Sequence, residues 1–348
     1  MKKKTISSII ILGIVFIIVG AIGAGISHAR VEKAQQEAKI SKKEAVKSAD
    51  TLNLTVSNVA HIHIEESHDN NIYMNKEVSN PNGKNKTDWK VTQKNKQLDV
   101  SIINDENKRS RSFLFFHNVY YAQDTIYLQI PSSLKNIQVN GNQVDLSMYG
   151  TKASNLDINL EKGQISLGDV KAKTININSK DSYITLSELK VENKLQTQAT
   201  TGSIELRDSA AKEIELKTTH GSIMTDNTKG NLALLSENGD VSINHQTGSL
   251  SAKTDNSDIT FHNDQLQSLT ELNSTHGNIS IETTQKSLDN SQLELKTELG
   301  SLDIFNKNLE NEQTLKTNKG KSVLKATTNS GDITINEMDD YDTEYGYN

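Results

Sequence analysis

One short phrase recurs through the carboxyl-terminal two thirds of the chain. It reads ENGDVSI at 237–243, THGNISI at 275–281, ELGSLDI at 298–304 and NSGDITI at 329–335. Successive copies follow one another at similar intervals when they are aligned on the corner positions Gly163, Ser182, Gly202, Gly221, Gly239, Ser257, Gly277 and Gly300. A repeat of about 20 residues is typical of solenoids, in which each unit buries its apolar face against its neighbours.

The interior of each copy indicates the kind of solenoid. Two short segments carry apolar residues at every second position, and no helical spacing of apolar residues appears. In NSGDITI the side chains of Ile333 and Ile335 are expected inside and Thr334 outside, with Leu293 and Leu295 typical of the facing strand. The sequence therefore predicts an all-β fold, a parallel, β-helix-like solenoid of about ten rungs, each of about 19–20 residues.

The corner of the phrase combines glycine with Asn or Asp. Glycine suits a turn that needs a positive φ or has no room for a side chain. Asp240, Asp258 and Asp332 occupy these turns, and a row of aspartates is one way to bind calcium. The G-G-x-G-x-D spacing of calcium-binding repeats is absent, so hydrogen bonding within the turns is the favoured interpretation.

The amino-terminal segment has the composition of a membrane anchor. Lys2, Lys3 and Lys4 precede a nearly unbroken apolar run from Ile9 to Ile26, close to the ~20 residues of a transmembrane helix. We predict a single-pass anchor over 1–28, with a cytoplasmic amino terminus and the following domain extracellular, because long domains translocate with little regard to charge. A signal peptide cleaved after Ala29 is the alternative.

Composition shifts divide the rest of the chain. Residues 29–50 are rich in Ala, Glu, Lys and Gln and predict a helical juxtamembrane stalk. Residues 51–125 alternate as strands and predict a β region that caps the solenoid of 126–336, and 337–348 form an acidic tail predicted to be disordered. The most apolar part of the exterior, FLFFHNVYY at 113–121, suits either a core strand or an exposed aromatic patch.

Bulk properties exclude several classes of function. The 348-residue chain has no cysteine, which excludes disulfides, thiolate metal sites and a cysteine nucleophile. Residues 51–348 carry 29 Lys/Arg and 40 Asp/Glu, since the first 50 residues hold nine and four of the chain's 38 and 44. An acidic body argues against a nucleic-acid partner, which calls for a basic patch.

No constellation of residues predicts chemistry. His61, His63 and His68 lie close together in the sequence, but no further ligand at a fixed spacing completes a metal site. His220 and His276 occupy equivalent turns three rungs apart. No nucleophile elbow, phosphate-binding loop or zinc-protease motif is present. The sequence therefore predicts no catalytic, cofactor-binding or metal site and a protein that is not an enzyme.

Together these features resemble a known family. The apolar amino-terminal segment, KVTQKNKQLDVSI at 90–102, the IYLQIP strand ending at Pro131 and the G-[SD]-[IV]-x-[IL] corners are similar to the bacterial putative-adhesin family of β-strand repeats, which includes LiaG-like membrane-anchored envelope proteins. The resemblance implies a place in the cell envelope and no catalytic residues. The rival roles are a regulatory component of the envelope-stress response and a polysaccharide-cleaving β-helix enzyme.

These expectations define a function. The chain is predicted to be a membrane-anchored, extracellular, non-enzymatic adhesin-like module of a Gram-positive cell envelope. Outward ladders of Thr, Ser and Asn would contact cell-wall polysaccharide or an envelope protein at many points. The sequence leaves the oligomeric state open.

Overall fold

A computed structural model describes residues 39–69, 71–77, 87–104, 125–266, 268–305, 307–309 and 313–338. The predicted anchor of 1–28, the FLFFHNVYY segment and nearly all of the acidic tail lie outside these ranges. Within the described ranges, no helix is both long enough and apolar enough to cross a membrane.

The described residues form 27 β-strands and one short α-helix, Gln285–Asp289. The strands are β1 (Lys39–Ala45), β2 (Thr51–Ser57), β3 (His61–Ser67), β4 (Asn71–Glu77), β5 (Thr87–Lys94), β6 (Gln97–Asn104), β7 (Thr125–Pro131), β8 (Asn136–Asn142), β9 (Asp145–Tyr149), β10 (Asn155–Lys162), β11 (Ile165–Gly168), β12 (Lys171–Asp181), β13 (Ile184–Ser187), β14 (Lys190–Thr201), β15 (Ile204–His220), β16 (Ile223–Asn238), β17 (Val241–Thr247), β18 (Leu250–Thr254), β19 (Ile259–His262), β20 (Leu269–Ser274), β21 (Ile279–Thr283), β22 (Ser291–Thr297), β23 (Leu302–Ile304), β24 (Lys307–Asn308), β25 (Thr314–Lys316), β26 (Ser322–Thr328) and β27 (Ile333–Glu337).

Two parallel ladders enclose one hydrophobic core. Face A has the strand order β6, β2, β8, β10, β12, β14, β15, β16, β18, β20, β26, β22. Face B has the order β7, β3, β9, β11, β13, β15, β16, β17, β19, β21, β27, β23. The long strands β15 and β16 run through a corner and contribute to both faces. Each rung supplies one strand to each face, so the described residues form twelve rungs.

The registers confirm the predicted solenoid-like all-β fold. Leu156 pairs with Ile175 and Ile184 pairs with Ile204, in each case one repeat further along the chain. Ile333 and Ile335 are both 0% exposed, as the alternation predicts. The rungs outnumber the ten expected, because β2, β3 and β6, from the region predicted to cap the solenoid, also stack in the ladders.

The rung order differs from the chain order at both ends. At the amino-terminal end, the rung of β2 and β3 lies inside the rung of β6 and β7, which comes later in the chain. At the other end, the final rung of β26 and β27 lies between that of β20 and β21 and that of β22 and β23. This insertion explains why the interval between Gly300 and Gly331 is longer than one repeat.

Antiparallel strands cover both ends of the ladders. β5 pairs with β6, β4 with β7, β25 with β22 and β24 with β23. Such covers protect sheet edges from pairing with other chains. β1 pairs with β4 over seven residues, so the helical stalk predicted over 29–50 is wrong for 39–45. Ladder pairing with a distant strand outweighs the weak local preference of an Ala/Glu/Lys segment for helix.

A stack of small residues turns the chain from face A to face B. A Cβ atom on Gly221 would lie well under 3.0 Å from the carbonyl oxygen of Gly202, and Gly239 stands in the same relation to Gly221. Real Cβ atoms essentially never come so close. Gly202 has a φ of 111°, but Gly221 and Gly239 are not in the left-handed region. Close stacking of the rungs is therefore what requires glycine along most of this corner.

The corner that leads back from face B to face A uses the left-handed backbone conformation in residues other than glycine. Asp169, Glu188, Asp208, Asn227 and His245 have φ between 46° and 55° on successive rungs. Asn and Asp tolerate this region better than other side chains do. The chain therefore turns through closely stacked glycines at one corner and through non-glycine residues in the left-handed conformation at the other.

Candidate functional site

The turn aspartates hold neighbouring rungs together. Asp240 Oδ1 accepts a hydrogen bond of 3.2 Å from the Asp258 amide, and Asp258 Oδ1 accepts one of 2.7 Å from the Asn278 amide. Asp332 Oδ1 accepts one of 2.8 Å from the Ser301 amide. The aspartates lie in the turns, as predicted, but these hydrogen bonds run between rungs and not within a turn. Each carboxylate accepts a hydrogen bond from the backbone of a neighbouring rung.

The three clustered histidines have separate surroundings. His61 Nδ1 lies 3.1 Å from Asp145 Oδ2, and the ring of His63 meets that of Tyr127 edge-on, with centroids 5.9 Å apart. His68 is exposed in the turn after β3. Across the described ranges, no group of three or more His, Asp or Glu side chains is arranged to hold a metal ion.

His220 and His276 also remain apart. His220 pairs in register with Asn238 of the next rung, and Asn256 of the rung after that bonds to Asn238. His276 lies one rung further and donates its backbone amide to the Asp255 carbonyl oxygen. The three-rung separation prevents the two imidazoles from acting on one ligand.

Face B carries a small open platform near its amino-terminal end. Its floor is a row of hydroxyl groups from Ser147, Ser166 and Thr185, which are register neighbours on β9, β11 and β13. Three tyrosines surround this floor: Tyr127, Tyr149 and Tyr183 have 39%, 50% and 49% of their surface exposed. We call these six residues the tyrosine platform.

The register places the three rings on different sides of the floor. Tyr127 and Ser147 both pair with His63, from opposite sides, so Tyr127 lies beyond the end of the hydroxyl row, with His63 between them. Tyr149 follows Ser147 by two residues and Tyr183 precedes Thr185 by two, and this spacing keeps each ring on the outward face. The floor is thus bounded at one end and along both sides.

Neighbouring residues fix the orientation of the rings. Tyr149 pairs with Gly168, and a Cβ atom at position 168 would overlap its ring, so the glycine makes room for the tyrosine. The Tyr183 hydroxyl donates a 2.9 Å hydrogen bond to Glu205. This bond, aided by partial burial, raises the pKa of Tyr183 above its ordinary value.

A groove of about 370 Å³ opens beside Tyr127. It lies between His61, His63 and Tyr127 and continues over Ser147 to Ser166. Its size falls within the roughly 300–1,000 Å³ of ligand sites. Aromatic rings beside hydroxyl, imidazole and carboxylate groups match the alternating apolar and polar surfaces of a sugar ring.

The carboxylates around the platform are already engaged. Asp145 contacts His61 and also accepts a 2.8 Å hydrogen bond from the Gln164 amide. Glu205 bonds to both Tyr183 and Arg207. Each of these two carboxylates therefore has two polar partners.

Face A carries a contrasting surface of stacked amides. Asn155 Nδ2 donates to Asn136 Oδ1 at 2.7 Å. Asn159 donates to Asn140 and Asn178 to Asn159, both at 3.3 Å. These are the outward polar ladders that the sequence predicts, and their groups are largely satisfied by one another along the solenoid axis.

Sequence reasoning missed Tyr149 and Tyr183. Tyr149 ends β9 and Tyr183 directly precedes β13, in the stretches DLSMYG and DSYITL, at positions where most other repeats carry polar or small residues. Aligning every repeat by its inward residues would have identified them as aromatic residues with no core to enter.

A family model matches most of the chain. It is described as Toastrack DUF4097 and matches residues 49–234 and again 187–336. No curated protein sequence gives a significant match. Among solved structures, the chain is similar to a putative adhesin from Bacteroides fragilis, with 15% identity, a TM-score of 0.37 and coverage of 86% of this chain and 97% of that one.

Two further structures have comparable likeness. One is a putative cell adhesion protein from Clostridium sporogenes, at 12% identity and a TM-score of 0.23, covering 86% of this chain and 100% of that one. The other is a putative lipid binding protein from Parabacteroides distasonis, at 10% identity and a TM-score of 0.38, covering 86% and 97%. The two segments matched by the family model together span residues 49–336, and the chain belongs to the Toastrack DUF4097 family.

Proposed function

We propose that this protein is a non-enzymatic, adhesin-like module that binds an extended glycan of the cell envelope on face B. The observation that carries the proposal is the tyrosine platform, in which three exposed rings surround a floor of three hydroxyl groups. Tyrosine supplies a large contact area at a low cost in side-chain entropy, and it is enriched where proteins bind their ligands.

The repeat favours a polymer over a single sugar. Successive rungs present the floor hydroxyls about 4.8 Å apart along the solenoid axis. An extended chain of sugars lying along this axis would meet similar groups at each step. Weak contacts that are linked in this way add up to a much higher avidity than any one contact provides.

The proposal includes a location. The lysines and apolar run at the amino terminus support a single-pass anchor with the β-solenoid outside the cell. An acidic, cysteine-free body with polar outward ladders is in keeping with a position at the cell surface. Protease treatment of intact cells, followed by detection of epitopes beyond residue 50, tests this placement. Survival of those epitopes would contradict it.

Binding of the full-length chain, purified in detergent, to insoluble envelope polysaccharide tests the function. We expect Tyr127→Ala and Tyr149→Ala each to weaken binding by about tenfold, because anchoring aromatic residues typically contribute about 1–2 kcal/mol or more. Leu299→Ala is the matched control, since it removes an apolar side chain that is 81% exposed on another rung. Thermal unfolding of each variant verifies that the fold is retained.

Two results would overturn the proposal. One is polysaccharide that fails to retain the wild-type chain, and the other is retention that is equal for the tyrosine variants and the Leu299→Ala control. Retention by envelope protein but not by purified polysaccharide would instead identify a protein partner and reject the glycan.

A further inference from the structure

The break in the repeat creates a cavity on the connector side of the solenoid, away from the tyrosine platform. Regular connectors from face B to face A are short and stack tightly, as shown by Gly248, whose Cβ would overlap the carbonyl group of Gly230. The connector that follows β21 is different, since it leads to β22, two rungs further along face A. It must therefore pass over the start of the inserted strand β26.

This detour leaves a cavity of about 590 Å³ between three chain segments. Residues 264–266 and Ser268 form one wall, and residues 284–290 of the long connector contribute to the opposite wall. Lys321 and Ser322, which lead into β26, form the third side. Insertions in a repeat protein often lie on its binding face, and this volume is that of a small-molecule site.

Hydrogen bonds between the segments hold the walls in place. Ser287 Oγ accepts a 2.7 Å bond from the Leu266 amide, and Thr284 Oγ1 donates one of 3.0 Å to the Asp264 carbonyl oxygen. The Lys321 amide donates one of 2.8 Å to the carbonyl oxygen of Asn290. Every wall is thereby tied to another, so the cavity is formed before any ligand arrives. Preorganisation of this kind lowers the cost of binding.

The charged groups of the lining are two ammonium groups and one carboxylate. Lys286, Lys321 and Asp264 all contribute to the cavity. In the described part of the chain, neither lysine amino group has a hydrogen-bond or ion-pair partner. Ser268 and Asn290 add a hydroxyl group and an amide. The lining thus offers an excess of positive charge together with neutral polar groups.

We propose that this cavity binds one acidic sugar unit, with the anionic group of the sugar between Lys286 and Lys321. The hydroxyl groups of the sugar then meet the side chains of Ser268 and Asn290, and Asp264 accepts a hydrogen bond from the ligand. Charge-assisted bonds to an anion are roughly twice as strong as neutral ones. The site does not depend on the tyrosine platform, which lies on face B.

Calorimetric titration of the full-length chain, purified in detergent, tests the site. The ligands are a galacturonic acid trimer, a neutral galactose trimer and glucose 6-phosphate. We expect the galacturonic acid trimer, glucose 6-phosphate or both to bind at least tenfold more tightly than the neutral trimer. A preference between these two anionic ligands identifies whether a carboxylate or a phosphate is the natural group. Raising the salt concentration weakens the binding, because the charged groups are accessible to solvent.

Substitution of the lysines separates this site from general surface charge. The double variant Lys286→Gln with Lys321→Gln is expected to lose at least tenfold in affinity. The Lys229→Gln variant removes an exposed charge from a regular connector and is expected to bind as the wild type does.

Three outcomes would reject the site. They are binding of both anionic ligands no tighter than that of the neutral trimer, unchanged affinity in the double lysine variant, and no heat of binding with any ligand. A double variant that unfolds at a lower temperature is replaced by Lys286→Arg with Lys321→Arg, which keeps the charge and is expected to keep the affinity within a few fold.

Discussion

Thr328 Oγ1 donates a hydrogen bond of 2.9 Å to the carbonyl oxygen of Gly277, although the two residues are 51 positions apart in the sequence. The equivalent bond one rung further joins Thr297 Oγ1 to the carbonyl oxygen of Gly331, at 2.8 Å. The two bonds fix the order of the last three rungs. The rung that ends in NSGDITI is an inner one, and an earlier segment of the chain closes the solenoid.

The glycine corner predicts a specific loss of stability. Gly221→Ala is expected to destabilise the fold by about 1–3 kcal/mol, since its Cβ would overlap the Gly202 carbonyl group and force the rungs apart. Gly150→Ala is the control: apart from its own chain neighbours, no heavy atom lies within 4 Å of its Cβ position, so only its φ of 61° opposes the change, at about 1 kcal/mol. Urea denaturation measures both. Equal losses would contradict close stacking as the cause.

The buried hydroxyl groups beside the corner predict opposite effects at two equivalent positions. Thr218 Oγ1 donates a 3.1 Å bond to the Gly202 carbonyl oxygen, whereas the buried Thr254 Oγ1 has no partner among the described residues. Thr218→Val is expected to cost about 1–2 kcal/mol, and Thr254→Val is expected to be neutral or stabilising. Thermal unfolding compares the two variants. A larger loss at position 254 would refute this account.

The left-handed corner predicts a stabilising substitution. Glu188 has a φ of 55°, a conformation that Asn adopts at lower cost than Glu. Glu188→Asn is therefore expected to raise the free energy of unfolding by roughly 0.5–1 kcal/mol. Glu192→Asn removes the same charge from strand β14 and is expected to give no gain. Denaturant midpoints of both variants measure the effect. An equal gain in stability in the two variants would mean that the loss of negative charge, and not the backbone conformation, is the cause.

Two carboxylates at the amino-terminal end predict a loss of stability in acid. The Tyr73 hydroxyl, which bonds to Asp69 at 2.6 Å, lowers the pKa of Asp69, and the bond from Lys96 lowers that of Asp50. A pKa that is lower in the folded state stabilises the fold above the unfolded-state pKa of about 3.9, and this stabilisation is lost as pH falls through the folded-state value.

The paired substitutions Asp50→Asn and Asp69→Asn should therefore flatten the dependence of stability on pH below about pH 4. Asp157→Asn, a similar charge change on face A, serves as the control. Denaturation midpoints collected between neutral and acidic pH provide the comparison. An unaltered slope in the paired variant would show that these contacts do not survive in solution.

Local pattern was enough to predict the inner geometry of a rung. Ile333 and Ile335 alternate with Thr334, and this spacing alone places the isoleucines in the core. The corner glycines and aspartates followed from backbone geometry in the same way. Each of these features involves residues that are near one another in the sequence or one repeat apart.

The features that could not be predicted depend on pairing across irregular distances. β1 is a strand because it pairs with the edge of β4. The sequence KISKKEA contains no local signal that predicts this pairing. The insertion of β26 beside β20 cannot be predicted from a regular period either, because the two strands are not in successive repeats of the chain. The tyrosine platform and the connector cavity both arise when side chains from several rungs come together, so their residues look ordinary in the linear sequence.

The displaced order of the last rungs has a consequence for biosynthesis. The ribosome makes β22 and β23, the outermost rung, before β26 and β27, the rung that must lie beneath it. The growing solenoid can add one rung after another as far as β21. The rung of β22 and β23 cannot pair next, because its parallel neighbours β26 and β27 have not yet been made. The segment made next finds its parallel neighbours only when residues 322–337 have emerged, so this end of the molecule is completed in a single late step.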